Sequence, residues 1–173
     1  IFVEQVQSMA KKRSGPRVPE FKENKVKKQR SREILLGSFL MLTGFLLIVS
    51  FISYFFNWQA DQSTIEVFLD RNIQSKNILN KIGAATSHFF IYKLFGIASF
   101  IVPSLIAYSG YLLFFSKSKA SLLVYWSWGI SYILWITIAL GFYHSLSPLL
   151  SGLVGYEINS FLVIYLGNIG LVT

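Results

Sequence analysis

Four runs of this chain, 34–60, 94–116, 120–156 and 158–173, contain no Asp, Glu, Lys or Arg. A charge at the centre of a membrane-spanning helix costs roughly 2.5–3.5 kcal/mol on insertion scales, so long charge-free runs are what a bilayer selects. The rest of the composition agrees: 53% hydrophobic and 17% aromatic residues, 14% charged and a mean hydropathy of +0.52 leave too little polar surface for a soluble domain of 173 residues. The expected fold class is an all-α membrane protein, a multi-span transmembrane helix bundle.

The charge is local. Ten of the sixteen Lys and Arg residues fall in 1–33, opposed there by Glu4, Glu20, Glu23 and Glu33, so this segment carries +6 of the net +8. With Gly15, Pro16 and Pro19 and few apolar groups it is expected to be a basic, flexible cytoplasmic tail, unable to bury enough surface to offset its ordering entropy. "MAKKRSGP" from Met9 has the character of a natural cytoplasmic start, and N-terminal peptides from 1–8 of the native protein would refute that start. Cysteine is absent, which removes disulfides, thiolate metal sites and cysteine nucleophiles.

The membrane domain is expected over 34–173. Span one, 34–56, offers 23 apolar or small residues, about 35 Å of helix against a hydrocarbon core of about 30 Å. It leaves through Tyr54, Phe55, Phe56 and Trp58, an interfacial belt rather than a signal-peptide cleavage site. Spans two and three are expected at about 95–115 and 121–143, joined by a tight turn. The Gly-, Ser- and Pro-rich stretch 144–159 reads as a loop or re-entrant segment. A fourth apolar segment begins near 160 and is cut short at 173.

Between spans one and two lies an outer loop, 57–93. Within it Ile78, Ile82, Ala85 and Phe89 recur at four, three and four, the period of an amphipathic helix. Asn77, Asn80, Lys81, Ala84, Ser87 and His88 fall on the other side. The expectation is an interfacial helix whose apolar stripe rests on the membrane or on neighbouring spans, with Trp58, Lys81, His88 and Lys93 as interfacial residues. Basic residues near span ends put the tail and the turn holding Lys117 and Lys119 in the cytoplasm, two spans apart and therefore mutually consistent.

No phosphate-binding loop, dinucleotide fingerprint, zinc-protease motif or nucleophile elbow occurs, so no catalytic, cofactor-binding or metal-binding residue is expected here. His88, His144 and Glu157 share the expected outer side, but without ligand spacing interfacial placement is the simpler reading than a metal or proton site. The basic tail lacks a nucleic-acid recognition fold, and attraction to anionic lipid explains it. In span two Gly96, Ser99, Pro103, Ala107 and Gly110 recur at three, four, four and three, a stripe that admits another helix closely. Trp126, Trp128 and Trp135 are expected as lipid-facing or packed anchors.

"SHFFIYKLFGIASFIVP" (87–103), "SYFFNWQADQS" (53–63) and "LSGLVGYEIN" (150–159) resemble the N-terminal four-span membrane domain of FtsK/SpoIIIE-type DNA translocases of the Bacteroidota branch. The resemblance runs from Met9 onward and includes the basic "MAKK" start and the order of spans; Leu94 stands where relatives are expected to have tryptophan. It implies an anchor in the bacterial cytoplasmic membrane with both termini inside, tethering an ATP- and Mg-dependent hexameric DNA motor at the division septum. It further implies a role in cell division and chromosome segregation, with the bilayer, other division proteins, further copies of the chain and, through the motor, DNA as partners. No position matches a nucleotide-binding motif, so the fragment itself is expected not to be an enzyme. The competing readings are a small polytopic transporter and a division scaffold without a motor; no ionisable group sits in the middle of an expected span, which disfavours coupled transport.

Overall fold

The structure, a computed structural model, describes residues 20–118 and 122–172, with side chains described over 24–118 and 122–167. The expected Met9 start and the tail up to residue 19 lie outside the described residues. Helix α1 spans Glu20–Glu66 and bends at Asn57 (φ −123°, ψ 16°). The Asn57 side-chain amide donates to the Ser53 carbonyl at 3.0 Å, the acceptor its own main-chain N–H would use in an unbroken helix, which gives the bend a local cause.

A short helix α2 (Asn80–Ser87) runs into a π-helical segment (His88–Phe95), a 3-10 segment (Gly96–Phe100) and helix α3 (Ile101–Phe114). Helices α4 (Leu122–Gly141) and α5 (Pro148–Val172) complete the chain. Among the described residues there is no strand, and four segments are long and apolar enough to cross a membrane: Asn24–Glu66, Asn80–Phe114, Leu122–Gly141 and Pro148–Gly167.

Two boundaries differ from the sequence reading. Residues 20–33, expected to be part of a flexible tail, continue α1 as helix. Arg30 ties this extension down: its Nη1 and Nη2 donate to the carbonyls of Leu113 and Phe114 at 3.0 and 2.6 Å, capping the end of α3. The stretch 144–159, expected as a loop before a fourth span starting near 160, belongs mostly to α5, whose apolar length is complete by Gly167. Small residues that signal loops in water serve as packing residues in a membrane helix, and Pro148 sits at the first helical position, where its missing N–H costs nothing.

The bundle consists of two helix pairs. Helix α1 lies on α3 at backbone contact distance: a Cβ added to Gly44 would fall 2.7 Å from the Pro103 carbonyl and 2.8 Å from Ala107 Cβ. Gly37 and Gly110 approach in the same way, an added Cβ on Gly110 lying 2.7 Å from the Gly37 carbonyl. In the second pair, a Cβ on Gly155 would fall 2.7 Å from the Thr137 carbonyl, and Asn159 Nδ2 donates to the Ile138 carbonyl at 3.0 Å. The π-helical and 3-10 segments pack on α5 and join the pairs. Phe51, Tyr54, Ile91 and Leu149 form the buried apolar centre, with the Phe51 and Phe100 rings edge to face at 5.6 Å.

The joint rests on two helix breaks that meet. Gly96 has φ +60° and ψ −140°, and Gly152 has φ +66° and ψ 177°. A Cβ on Gly96 would collide with the main chain at Leu150 and Ser151, and one on Gly152 with the main chain at Leu94 and Gly96. Both positions require glycine for φ and for space. The freed carbonyls are satisfied from the side: Thr137 Oγ1 donates to Phe95 O at 3.1 Å, and Ser99 Oγ donates to Phe90 O.

Candidate functional site

Helix α1 carries Ser50, Ser53, Tyr54, Asn57 and Asp61 at intervals of three, one, three and four, a polar stripe on an otherwise apolar helix. In a bilayer such groups need protein partners. Residues 75–88 provide them.

Asn77 is the hub. Its Nδ2 donates to the Ser50 carbonyl at 2.9 Å and its Oδ1 accepts from Ser50 Oγ at 3.1 Å. Ser50 Oγ also shares a 2.8 Å hydrogen bond with Ser87 Oγ, and the Ile78 N–H donates to Ser53 Oγ at 3.0 Å. Asp61 is fully buried; its Oδ1 accepts from Ser75 Oγ at 2.5 Å and from the Asn77 N–H at 3.0 Å. Asp61 Oδ2 has no hydrogen-bond partner among the described residues.

In the middle of the stripe, Tyr54 OH and His88 Nδ1 lie 2.8 Å apart. The His88 ring stacks on Tyr92 (centroids 4.9 Å, planes 13° apart), and Tyr92 stacks on Trp58 (6.0 Å, 23°). This ladder fastens the π-helical segment to α1.

The placement of His88 corrects the sequence reading. The periodicity of Ile78, Ile82 and Phe89 is present, but these residues are 69%, 75% and 49% exposed, whereas Asn77, Ser87 and His88 are buried against α1. The side with the hydrogen-bonding groups faces the protein because α1 presents a polar stripe there, and the apolar side faces outward. His88 is therefore a buried partner of Tyr54 rather than a side chain facing lipid or water. Trp58 is half-buried in the ladder, and Lys93 is exposed on the π-helical segment. Lys81 Nζ donates to the carbonyls of Phe68 and Asp70, closing the loop before α2.

Of the five residues on the small stripe, Pro103, Ala107 and Gly110 lie on α1, Gly96 meets α5, and Ser99 bonds back to Phe90. The stripe thus serves two different neighbours within the chain. His144 shares a 2.9 Å hydrogen bond with Ser151 and packs on Tyr156, so the structure does not assemble it with His88 and Glu157. Trp126 Nε1 donates to Ser109 Oγ at 3.1 Å, while Trp128 and Trp135 point outward. The sequence signal for the Asn77 hub was the polar spacing on α1, which only becomes meaningful once the span is known to extend past residue 56.

The site is a latch: neutral hydrogen bonds, one buried carboxylate and an aromatic ladder that pin residues 75–92 to the first span. No curated protein and no solved structure matches the chain. A family model describing the 4TM region of DNA translocase FtsK/SpoIIIE matches residues 28–173, which takes in the latch and all but residues 24–27 of the four spanning segments. The chain belongs to the family of FtsK/SpoIIIE four-span membrane regions.

Proposed function

We propose that this multi-pass chain anchors a DNA translocase at the division septum of a bacterial cytoplasmic membrane. It tethers a cytoplasmic motor that uses ATP and Mg to move DNA during chromosome segregation, and it assembles with other division proteins and with further copies of itself. The observation that carries this reading is the family match over 28–173, coincident with four complete spanning helices. An even number of spans returns the chain to the side on which it began, as a motor using cytoplasmic ATP and DNA requires. The basic helical extension of α1 and Lys117 favour the cytoplasm for both ends. The chemistry of translocation lies outside these residues; their part is position.

A fluorescent fusion of the full protein in dividing cells tests the reading. A midcell band is expected, and an even distribution around the cell membrane would overturn the septal role. Alkaline phosphatase fused after Ser118 is expected to be inactive; activity would reverse the orientation. A nucleotide-binding motif downstream in the same reading frame separates a motor anchor from a motor-less scaffold.

One observation favours a second reading. Two broken spanning helices that cross at their breaks are a feature of transporter binding sites. Here Thr137 and Ser99 already satisfy the carbonyls at the crossing, which suits packing. Solute flux in proteoliposomes would favour transport.

A further inference from the structure

Between the loop that follows α1 and the first turn of α2 lies an open groove of about 400 Å³, whose lining includes Phe68, Leu69, Arg71, Ile73, Lys81 and Ile82. Two of its lining residues are basic and none is acidic. The neighbouring Asp70 is turned to its own loop, where its Oδ1 accepts from the Asn72 N–H at 2.9 Å. The apolar part of the groove is uncovered: Leu69 and Ile82 are 91% and 75% exposed. In water each such side chain would forgo about 1.5–3 kcal/mol of burial.

The latch fixes the level of this groove against the first span. Asn77 Nδ2 donates to the Ser50 carbonyl, and a Cβ added to Gly83 would fall 2.7 Å from Ser50 Oγ, so the residues around Ile82 are held beside Ser50. Ser50 belongs to the apolar segment 34–56, long enough to cross hydrocarbon by itself. From the same turn of α2, Lys81 Nζ reaches the carbonyls of Phe68 and Asp70, past the end of α1 at Glu66. The groove therefore joins a level at which the first span is apolar to the loop that leaves that span.

We propose that this groove seats an anionic phospholipid, its phosphate on Arg71 and Lys81 and the start of an acyl chain along Leu69 and Ile82. Arg71 is exposed, and a guanidinium presents two parallel N–H groups to phosphate oxygens. An ammonium has three donors; Lys81 uses two on the loop carbonyls, which leaves one for the same phosphate. Lys81 also stands in the first turn of α2, where the helix dipole favours an anion over a cation, so a bound phosphate offsets an unfavourable placement. An acidic segment of a soluble partner would answer the two cations and leave Ile82, beside Ser50, against lipid. A phospholipid carries the anion and the hydrocarbon in the order in which the groove presents their partners. The proposal rests on the multi-pass character of the chain and not on the septal role.

The absence of cysteine makes the test direct. Ile78→Cys places the sole thiol on the exposed side of α2 next to the groove, and Leu42→Cys places it on the outward face of α1; each is labelled with the fluorophore NBD. The full chain is reconstituted in phosphatidylcholine nanodiscs holding a minor share of either phosphatidylglycerol or phosphatidylcholine that carries a nitroxide near the top of one acyl chain. At Ile78→Cys the labelled phosphatidylglycerol is expected to quench more strongly than the labelled phosphatidylcholine, and at Leu42→Cys the two are expected to quench alike. Adding Arg71→Gln is expected to lower the preference at Ile78→Cys about fivefold, the effect of one basic residue on anionic lipid, with helix content by circular dichroism unchanged. Equal quenching by the two lipids at Ile78→Cys, the same preference at Leu42→Cys, or a preference indifferent to Arg71→Gln would overturn the proposal. Absence of quenching by either lipid at Ile78→Cys would overturn it too and leave the groove to a soluble partner. The midcell distribution of the unaltered protein reports separately on the septal reading.

Discussion

Tyr54 and His88, thirty-four positions apart, share a buried hydrogen bond of 2.8 Å that joins the first span to the start of the second. Beside it runs a separate line of contacts from Asp61 through Asn77 and Ser50 to Ser87, all made without an ion pair. A net stabilisation of about 1 kcal/mol per neutral bond is modest, but leaving one partner buried alone costs about 1–3 kcal/mol.

That asymmetry makes a double-mutant cycle informative. His88→Leu is expected to lower stability by about 1–3 kcal/mol because Tyr54 OH loses its partner. Tyr54→Phe with His88→Leu is expected to cost less than the sum of the single changes. Unfolding by denaturing detergent, followed by tryptophan fluorescence, measures the four states; strict additivity would show that the two groups do not interact.

Asp61 holds the loop to α1 through Ser75 and the Asn77 N–H. Asp61→Ala is expected to release the segment between Glu66 and Asn77, and trypsin added to the side exposing the loop should cut at Arg71 at least about tenfold faster as local opening becomes easier. Cutting at the unaltered rate would mean that Lys81, through the Phe68 and Asp70 carbonyls, holds the loop by itself.

The meeting of the two helix breaks predicts a graded response to one added methyl group. Gly96→Ala and Gly152→Ala combine a forbidden φ with a collision against main chain, and each is expected to cost about 2–6 kcal/mol. Gly167 has φ +68° and ψ 167° but nothing within 4 Å of an added Cβ, so Gly167→Ala is expected to cost only the backbone strain, about 1–3 kcal/mol. Thermal unfolding in detergent should rank the three accordingly.

Arg30 presents a planar fork to two carbonyls at the end of α3. Arg30→Gln is expected to lower stability by about 1 kcal/mol, and Arg30→Lys to recover little of it, since an ammonium cannot serve both acceptors in the same geometry. Full recovery by lysine would reduce the contact to charge attraction alone.

The bundle was legible in the sequence because insertion into hydrocarbon is a local test. A segment such as 34–56 or 121–143 passes it on length and absence of charge, whatever its neighbours do. The family resemblance was legible for the same reason, in contiguous blocks around His88, Trp58 and Gly152. Only tertiary structure decided which way each side of residues 77–89 faces. Periodicity separates polar from apolar sides, yet the choice depends on whether water, lipid or a polar stripe on another helix lies opposite, and that stripe, Ser50 to Asp61, comes from a different segment. The same holds for 144–159: Gly152 and Gly155 read as loop residues until the main chain at Leu94 and Thr137 is found against them, because close approach of two backbones is a property of the pair and not of either sequence alone.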